Sequence, residues 1–568
     1  MKTRSLRIRS VTVAAALCFG VLGTQLVGCA DENDPKTWVK RLDDPAQRTP
    51  AIKRLNNFFD DTMTKANKDR ESAEVKGLLD TIVEPLTKQY TSTVLDERTR
   101  KELIKFLADT ADPRATPAFA KALKDYEPGK NDEDVKFSAQ VAMRLAKANK
   151  LTDQAFIDAL WDCFSKFQAS KSKSINLVTD LHDAVLAVKH ASYAPKAVEK
   201  LAQAVGNPQD RDESLDKIQF WQRTSIQILG ELKYAAAAKP LVTVMLTPNK
   251  RDLGATARTA LMRMPKEAEP VLIAVLKGTD PDLAKLAATY PEKGHLPQVT
   301  ETLSYISRPT SRDAVIEAIA AADNDSTRTL MTMNLVHFPA DKKTQDAFMA
   351  AYAKVSPEAT INGYGNARSV FASSSTLFYD PNMVEWLLKE SAGAKGEMGA
   401  QFPLSAIPAA IKIMGKDRVA AVAVALDKAP LAKEEKEKFG QTLKAATAVV
   451  EKCDKDAACY VKKLDEPVPS APLSAKLGHV KACFMAAIYG NPQTGKDLLG
   501  KVEKIKDGMV RLSLVEAIDH LYPQGSAEAA QVLEKIVEAD TASGNKDVIS
   551  TDDALVKTAL KLRSRANP

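Results

Sequence analysis

Glycine is scarce in this chain, at 24 of 568 residues, about 4% against a usual level near 7%. Aromatic side chains reach only 6%. A strand-rich fold with many tight turns draws on both, so the composition points away from one. Long apolar runs are few: past the N-terminus the most apolar stretches, such as residues 419–426, are short and alanine-rich, and none reaches membrane-spanning length. A dominant charge is also missing. Lys and Arg number 80 and Asp and Glu 73, and residues 1–28 hold four of the basic residues and no acidic one, leaving 76 against 73. Nucleic acid and anionic lipid both demand a concentrated basic field, so neither is expected as a partner. Alanine, leucine, lysine and glutamate carry the bulk. The 45% apolar content suffices to bury a sizeable core although 27% of residues are charged.

The N-terminus reads as an address. Lys2, Arg4, Arg7 and Arg9 precede an apolar run over residues 11–27, the pattern of a secretory signal. The run is shorter than the roughly 20 residues a spanning helix needs. It ends in Leu26-Val27-Gly28-Cys29, which resembles the bacterial lipobox. The resemblance implies cleavage after residue 28, a diacylglycerol group on the Cys29 sulfur, and a freed amine for a further acyl chain such as palmitate. Two or three chains at about 0.8 kcal/mol per buried methylene hold a protein to a membrane essentially permanently. Ala30 follows, not the aspartate that favours inner-membrane retention in well-studied sorting systems, so the expected location is the outer membrane of a Gram-negative envelope, facing the periplasm. The tether over residues 29–36 is short, and at up to roughly 3.5 Å per residue it keeps the first helices within about 30 Å of the membrane.

From Trp38 to Leu562, apolar residues recur at i, i+3, i+4 and i+7, broken every dozen or so positions by Pro, Gly, Asn or Asp. Helices of that length joined by brief turns are antiparallel hairpins, and a series of them invites a search for a period. The clearest unit runs over residues 222–245. Ile226, Leu229 and Leu232 form one stripe, Gly230 permits close helix approach, Pro240 stands in the first turn of a second helix, and Leu241, Val244 and Met245 form the facing stripe. This unit resembles a HEAT repeat of the bacterial, PBS-lyase-like or armadillo type, with Arg223 early, Leu229-Gly230 near the first helix end and Pro240-Leu241 at the second. Arg258, Ala260, Leu261, Pro270, Val271, Leu272 and Leu276 fall in corresponding places one unit later. Similar outlines occur at Asp44-Pro45 with Arg48, Ala51 and Leu55, and at Asp112-Pro113-Arg114 with Pro117, Phe119 and Leu123. Further pairs are expected near 135–160, 175–203, 298–320, 327–354, 367–390, 404–427, 440–464, 474–504 and 508–538. The resemblance implies an all-α, right-handed α-solenoid of roughly a dozen hairpins, in which one hairpin buries its stripe only against stacked neighbours. Residues 356–366 and 391–401, rich in Gly and Asn, are expected as longer loops flanking a repeat at 356–401, a hinge between solenoid segments 37–355 and 402–568.

Local chemistry is mostly absent. Export permits disulfides, and Cys453 and Cys459 flank Asp454 to Asp456, which read as the turn between two helices; a bond there would pin the corner. Cys483 in the following repeat is a rival partner, whereas Cys163 lies on the stripe Phe156, Leu160, Phe164 and reads as a buried small residue. Residues 490–497, Gly-Asn-Pro-Gln-Thr-Gly-Lys-Asp, nearly match a phosphate-binding loop, but Asp497 replaces the hydroxyl that would hold magnesium, and a helix precedes the segment instead of a strand. The six histidines, His182, His190, His295, His337, His479 and His520, show no H-E-x-x-H and no i, i+4 pair. His182 and His190 stand eight apart on an expected helix, about 12 Å, too far to share one zinc. No catalytic set, cofactor or metal site is expected, and protein partners bound through the solenoid surface are. The alternative is an envelope enzyme, or a regulatory subunit of one, with a site assembled between distant repeats. Such a site leaves no local spacing, and a deep pocket collecting ionisable residues would be its mark.

Overall fold

A computed structural model describes residues 31–172, 174–471 and 473–567. The expected signal segment, with Cys18 and the lipidation candidate Cys29, lies outside the described residues. The fold is an all-α solenoid of HEAT-like hairpins. Among the described residues the only sheet is a two-stranded ladder, Thr360–Ile361 against Gly365–Asn366. The chain divides into two compact units: one holds the described residues up to Asp125 with Glu133–Ala159, the other Tyr126–Asp132 with everything from Leu160 onward.

In the first unit, helices Arg48–Lys65, Ala73–Ser92, Glu97–Thr110 and Thr116–Lys124 follow one another. Ser72 and Asp96 accept from Val75 N and Thr99 N and so supply the caps that begin two of them. Ala51 and Leu55 are fully buried, as their stripe requires. Arg48 spends its guanidinium on the Leu42 carbonyl at 2.9 Å. Buried Asp134 accepts from the Tyr90 hydroxyl at 2.9 Å and pairs with Arg100 at 2.7 Å, a polar tie through the packed layer.

The second unit is a succession of pairs whose bounds follow the sequence periods closely. Ile175–Val188 is followed by Tyr193–Ala202, Leu296–Ile306 packs on Pro309–Ala320, Asp325–Leu335 on Lys342–Lys354, and Ala367–Ser374 and Met383–Gly393 both pack on Gly396–Ile413. Gly396–Ile413 also packs on Val419–Lys428, Lys433–Cys453 on Ala457–Lys463 and Leu473–Tyr489 on Pro492–Val502, and Gly508–Leu521 is followed by Ala527–Ser543. The HEAT-like unit is Arg223–Leu232 with Ala238–Leu246, entered through a π-helical segment, Ser214–Gln222, that the periodicity had not marked. A Cβ on Gly230 would stand 3.0 Å from both Ala260 Cα and Ala260 Cβ, so the helices Arg223–Leu232 and Gly254–Met262 meet at a distance that any added side chain would have to push apart by a few tenths of an ångström.

Three expectations are corrected. Pro270 lies inside the helix Pro265–Lys277, and Pro265 is the proline that opens it. The loop expected at 391–401 is largely helical, because Met383–Gly393 and Gly396–Ile413 leave only two residues between them. The helix carrying His182 ends at Val188, so His190 sits in the following turn, bonded to the Ser192 hydroxyl at 2.8 Å. The 356–366 segment does leave the helical pattern and carries the ladder. At the 490–497 segment, Asn491 caps the helix Pro492–Val502 with both reciprocal bonds of a capping box, so these residues start a helix.

The larger departure is at the C-terminus. Solenoid repeats ordinarily touch only their neighbours. The helix Asp552–Ala566 packs on Gly508–Leu521 and Ala527–Ser543, and also reaches back to Leu296–Ile306. Arg565 joins the two regions: its Nε donates to Ser307 Oγ at 2.9 Å, its Nη2 to the His337 carbonyl at 3.1 Å, and its Nη1 to Asp519 Oδ1 at 3.0 Å. Gly525, at φ +76°, is where the preceding turn meets the returning helix. A Cβ there would fall 2.3 Å from Leu562 O and 2.4 Å from Ala566 N.

Candidate functional site

The returning helix closes one side of a cavity of about 160 Å³ within the second unit. Five stretches furnish its walls. Tyr305 comes from the end of Leu296–Ile306, residues 336–340 from the turn after Asp325–Leu335, Leu377 and Tyr379 from the turn before Met383–Gly393, and the rest from Gly508–Leu521 and Asp552–Ala566. Tyr379 adopts φ +52°, and its ring lies 4.4 Å from His520 and 5.2 Å from Phe484. Tyr305 stacks on His337 at 5.4 Å, with Lys557 over its face at 5.2 Å.

The charges here are largely matched. Asp519 pairs with Lys561 and with Arg565, and Lys557 pairs with Asp553 at 2.8 Å. Burial alone would raise the Asp519 carboxyl, but Arg565 and Lys561 outweigh it and hold it below the usual range. Burial pulls the Lys561 ammonium down against the opposing pull of Asp519. Glu516 is different. It lines the cavity wall with an exposed side chain and makes no ion pair among the described residues, and the protein crowded around it raises its carboxyl in spite of Lys412 and Lys561. Burial pushes His337 down to about 3 and His520 to about 4, so both imidazoles are neutral near pH 7. The Tyr379 hydroxyl is buried without a hydrogen-bond partner. A recess that gathers acids and bases in this way is the mark of a site assembled between distant repeats.

Of the residues singled out in the sequence, only His337 and His520 line this cavity. Cys453 and Cys459 are bonded to each other at the corner between Lys433–Cys453 and Ala457–Lys463, with Cα atoms 5.4 Å apart, Asp454 at φ +49° and Asp456 capping the second helix. Cys163 and Cys483 are buried free thiols. Among the described residues no group of three metal-ligating side chains occurs. His337 and His520, two of the six histidines, were not marked by any metal-binding spacing in the sequence. They stand 183 positions apart, so no local spacing could have joined them.

No family model matches the chain, and neither does any curated protein sequence. Among solved structures it is similar to Kap121p bound to Nup53p, at 12% identity over 89% of this chain and 58% of that one, with a TM-score of 0.41. It is also similar to importin beta, at 7% identity, 93% and 84% coverage and a TM-score of 0.23. For Pds5 in its complex with Scc1 the values are 13%, 91% and 88%, and 0.27. The chain thus spans less than two thirds of the length of the Kap121p chain it matches. These likenesses are of a kind, helical repeat to helical repeat, and carry nothing about what this chain binds.

Proposed function

We propose that this protein is a lipid-anchored scaffold of a Gram-negative envelope that binds protein partners through the outward faces of its helical repeats. The tether is argued from residues 1–29 and the lipobox-like Leu26-Val27-Gly28-Cys29. On this reading acyl chains on Cys29 hold the chain to the membrane; among the described residues no helix is long and apolar enough to cross one. The observation that carries the reading is the tandem array itself. Its buried stripes are consumed by neighbouring hairpins, and what the repeats present outward is a long series of polar helix faces with charges of both signs. Such surfaces suit protein partners, as alternating charge gives specificity without a strong field for nucleic acid. The test is rapid crosslinking in cells followed by affinity purification, wild type against Cys29→Ala. One or two envelope proteins recovered in stoichiometric amounts, and reduced with the unanchored form, support the scaffold; an intact, folded protein that recovers no partner contradicts it.

The cavity at Glu516 favours a second reading, an envelope enzyme or regulatory subunit with its site assembled between repeats. Loss of the cellular role in Glu516→Ala, with partner recovery unchanged, would select it.

A further inference from the structure

We propose that the cavity between Tyr305, Leu512, Glu516 and Lys557 binds a small free amino acid as its zwitterion, with the ammonium on Glu516 and the carboxylate on Lys557. This goes beyond the scaffold reading and does not depend on it.

The two poles are open for different reasons. Glu516 lines the wall with an exposed side chain, and Lys412 and Lys561 act on its carboxyl only through space, neither one bonded to it. Lys557 reaches the cavity over the face of Tyr305, 5.2 Å from the ring centroid, and Tyr305 is itself held by stacking on His337. Its carboxylate partner Asp553 is 73% exposed. A pair that wet is worth little, so the Lys557 ammonium is free to turn to a carboxylate in the cavity. Glu516 and Lys557 stand on the packed helices Gly508–Leu521 and Asp552–Ala566, yet among the described residues they make no ion pair with each other. A ligand carrying both charges joins them.

The remaining charges favour a ligand with no net charge. Asp519 is shared by Lys561 and Arg565, which leaves one positive charge in excess, and Lys557 cancels against Asp553. His337 and His520 are neutral near pH 7. Ionised Glu516 balances the excess, so the walls sum to zero while their two poles stay apart. A simple cation meets Glu516 but leaves the excess positive charge beside it, and a simple anion leaves the Glu516 carboxylate unmet. An ammonium donates up to three hydrogen bonds and a carboxylate only accepts them, so each end of a zwitterion fits one pole and not the other.

Size restricts the class to its smallest members. The cavity, at about 160 Å³, is close to the roughly 150 Å³ that holds a ring of about six non-hydrogen atoms. Alanine and glycine lie within that limit and serine at its edge. Leu377, Leu512 and Val515 give the wall an apolar lining that suits a hydrogen or a methyl as the ligand's side chain.

The test is saturation-transfer NMR titration of the full chain in detergent with glycine, L-alanine and L-serine. The comparators are alaninamide, which keeps the ammonium alone, lactate, which keeps the carboxylate alone, and L-phenylalanine, which keeps both but is too large. At least one of the three probes is expected to bind saturably, with every comparator at least tenfold weaker. Glu516→Gln and Lys557→Met should each weaken that probe at least tenfold. Both side chains reach solvent, so both variants should melt as the wild type does, and either one decides if the other folds poorly. The proposal is overturned if none of the three probes saturates, if any comparator comes within tenfold of the best of them, or if a folded variant keeps its affinity within tenfold of the wild type. Partner recovery in the crosslinking experiment should be the same in Lys557→Met as in the wild type, so failure here leaves the scaffold reading standing.

Discussion

Buried cations in this protein serve mainly to close helix ends. Lys481, only 2% exposed, donates to the carbonyls of Ile411, Lys412 and Met414, and Lys250, at 6%, donates to those of Leu201 and Gln203. The last turn of a helix leaves carbonyls without partners and carries a partial negative charge, so a cation there removes two costs at once. Burial lowers the Lys250 ammonium to about 8 all the same. Arg511 is fully enclosed and divides its donors among Val502 O, Val548 O, Thr551 Oγ1 and Asp540. Arg511→Ala would strand the Asp540 carboxylate, so a loss on the order of 3–5 kcal/mol is expected in chemical denaturation, and a loss under about 1 would refute the buried pair. The histidines of the cavity set an acid limit. His520 is held to about 4 by burial, with Asp519 opposing and Arg565 assisting, so the unfolded chain takes up the proton first. Stability from this site is full above about pH 6.5 and is lost as pH falls toward 4. The His520→Gln variant should lose on the order of 1–3 kcal/mol less than the wild type over that window. Melting curves recorded from pH 7 to 4 check this, and parallel curves would contradict it.

At the scale of elements, the hairpins were legible because their stripes recur at helical spacing and their turns carry Pro, Gly, Asn and Asp; the pairs from 298 to 538 fall close to where the periods put them. The misplaced loop at 391–401 shows where that reasoning weakens. Gly393, Gly396 and Gly399 argue for a break by propensity, but helix on either side is maintained by packing of Leu387 and Ala406 into the core. Leu229 is wholly buried, so Leu229→Asp would place an unpaired charge against the next hairpin, and hydrogen exchange should show protection lost over at least 223–246. Unchanged helicity and melting would contradict the stacking. The return of the C-terminal helix was not legible, since nothing in Leu555, Leu562 or Arg565 says which distant helix they meet. Gly525→Ala tests it. The added methyl cannot fit beside Leu562 O, so exchange should quicken both in Asp552–Ala566 and, some 220 residues away, in Leu296–Ile306. Quickening confined to the C-terminal helix would mean that the return contributes little.

For the whole molecule, the cavity and the proposed tether are two kinds of feature, and only the second is argued from local sequence. A tether is written locally, in four basic residues, an apolar run and one cysteine. A cavity drawn from Tyr305, Tyr379, Glu516 and Arg565 is written nowhere locally; it exists because the array brings distant hairpins onto a shared wall. Location, partner search and the short reach of the first helices all depend on Cys29 becoming the lipidated N-terminus. The most direct measurement is mass spectrometry of the N-terminal peptide from cells fed an alkyne analogue of palmitate. The account predicts a mature chain that begins at Cys29, carries the label and fractionates with membranes, and an unlabelled, soluble Cys29→Ala form. A wild-type chain that begins elsewhere, or that is unlabelled and soluble, would contradict it.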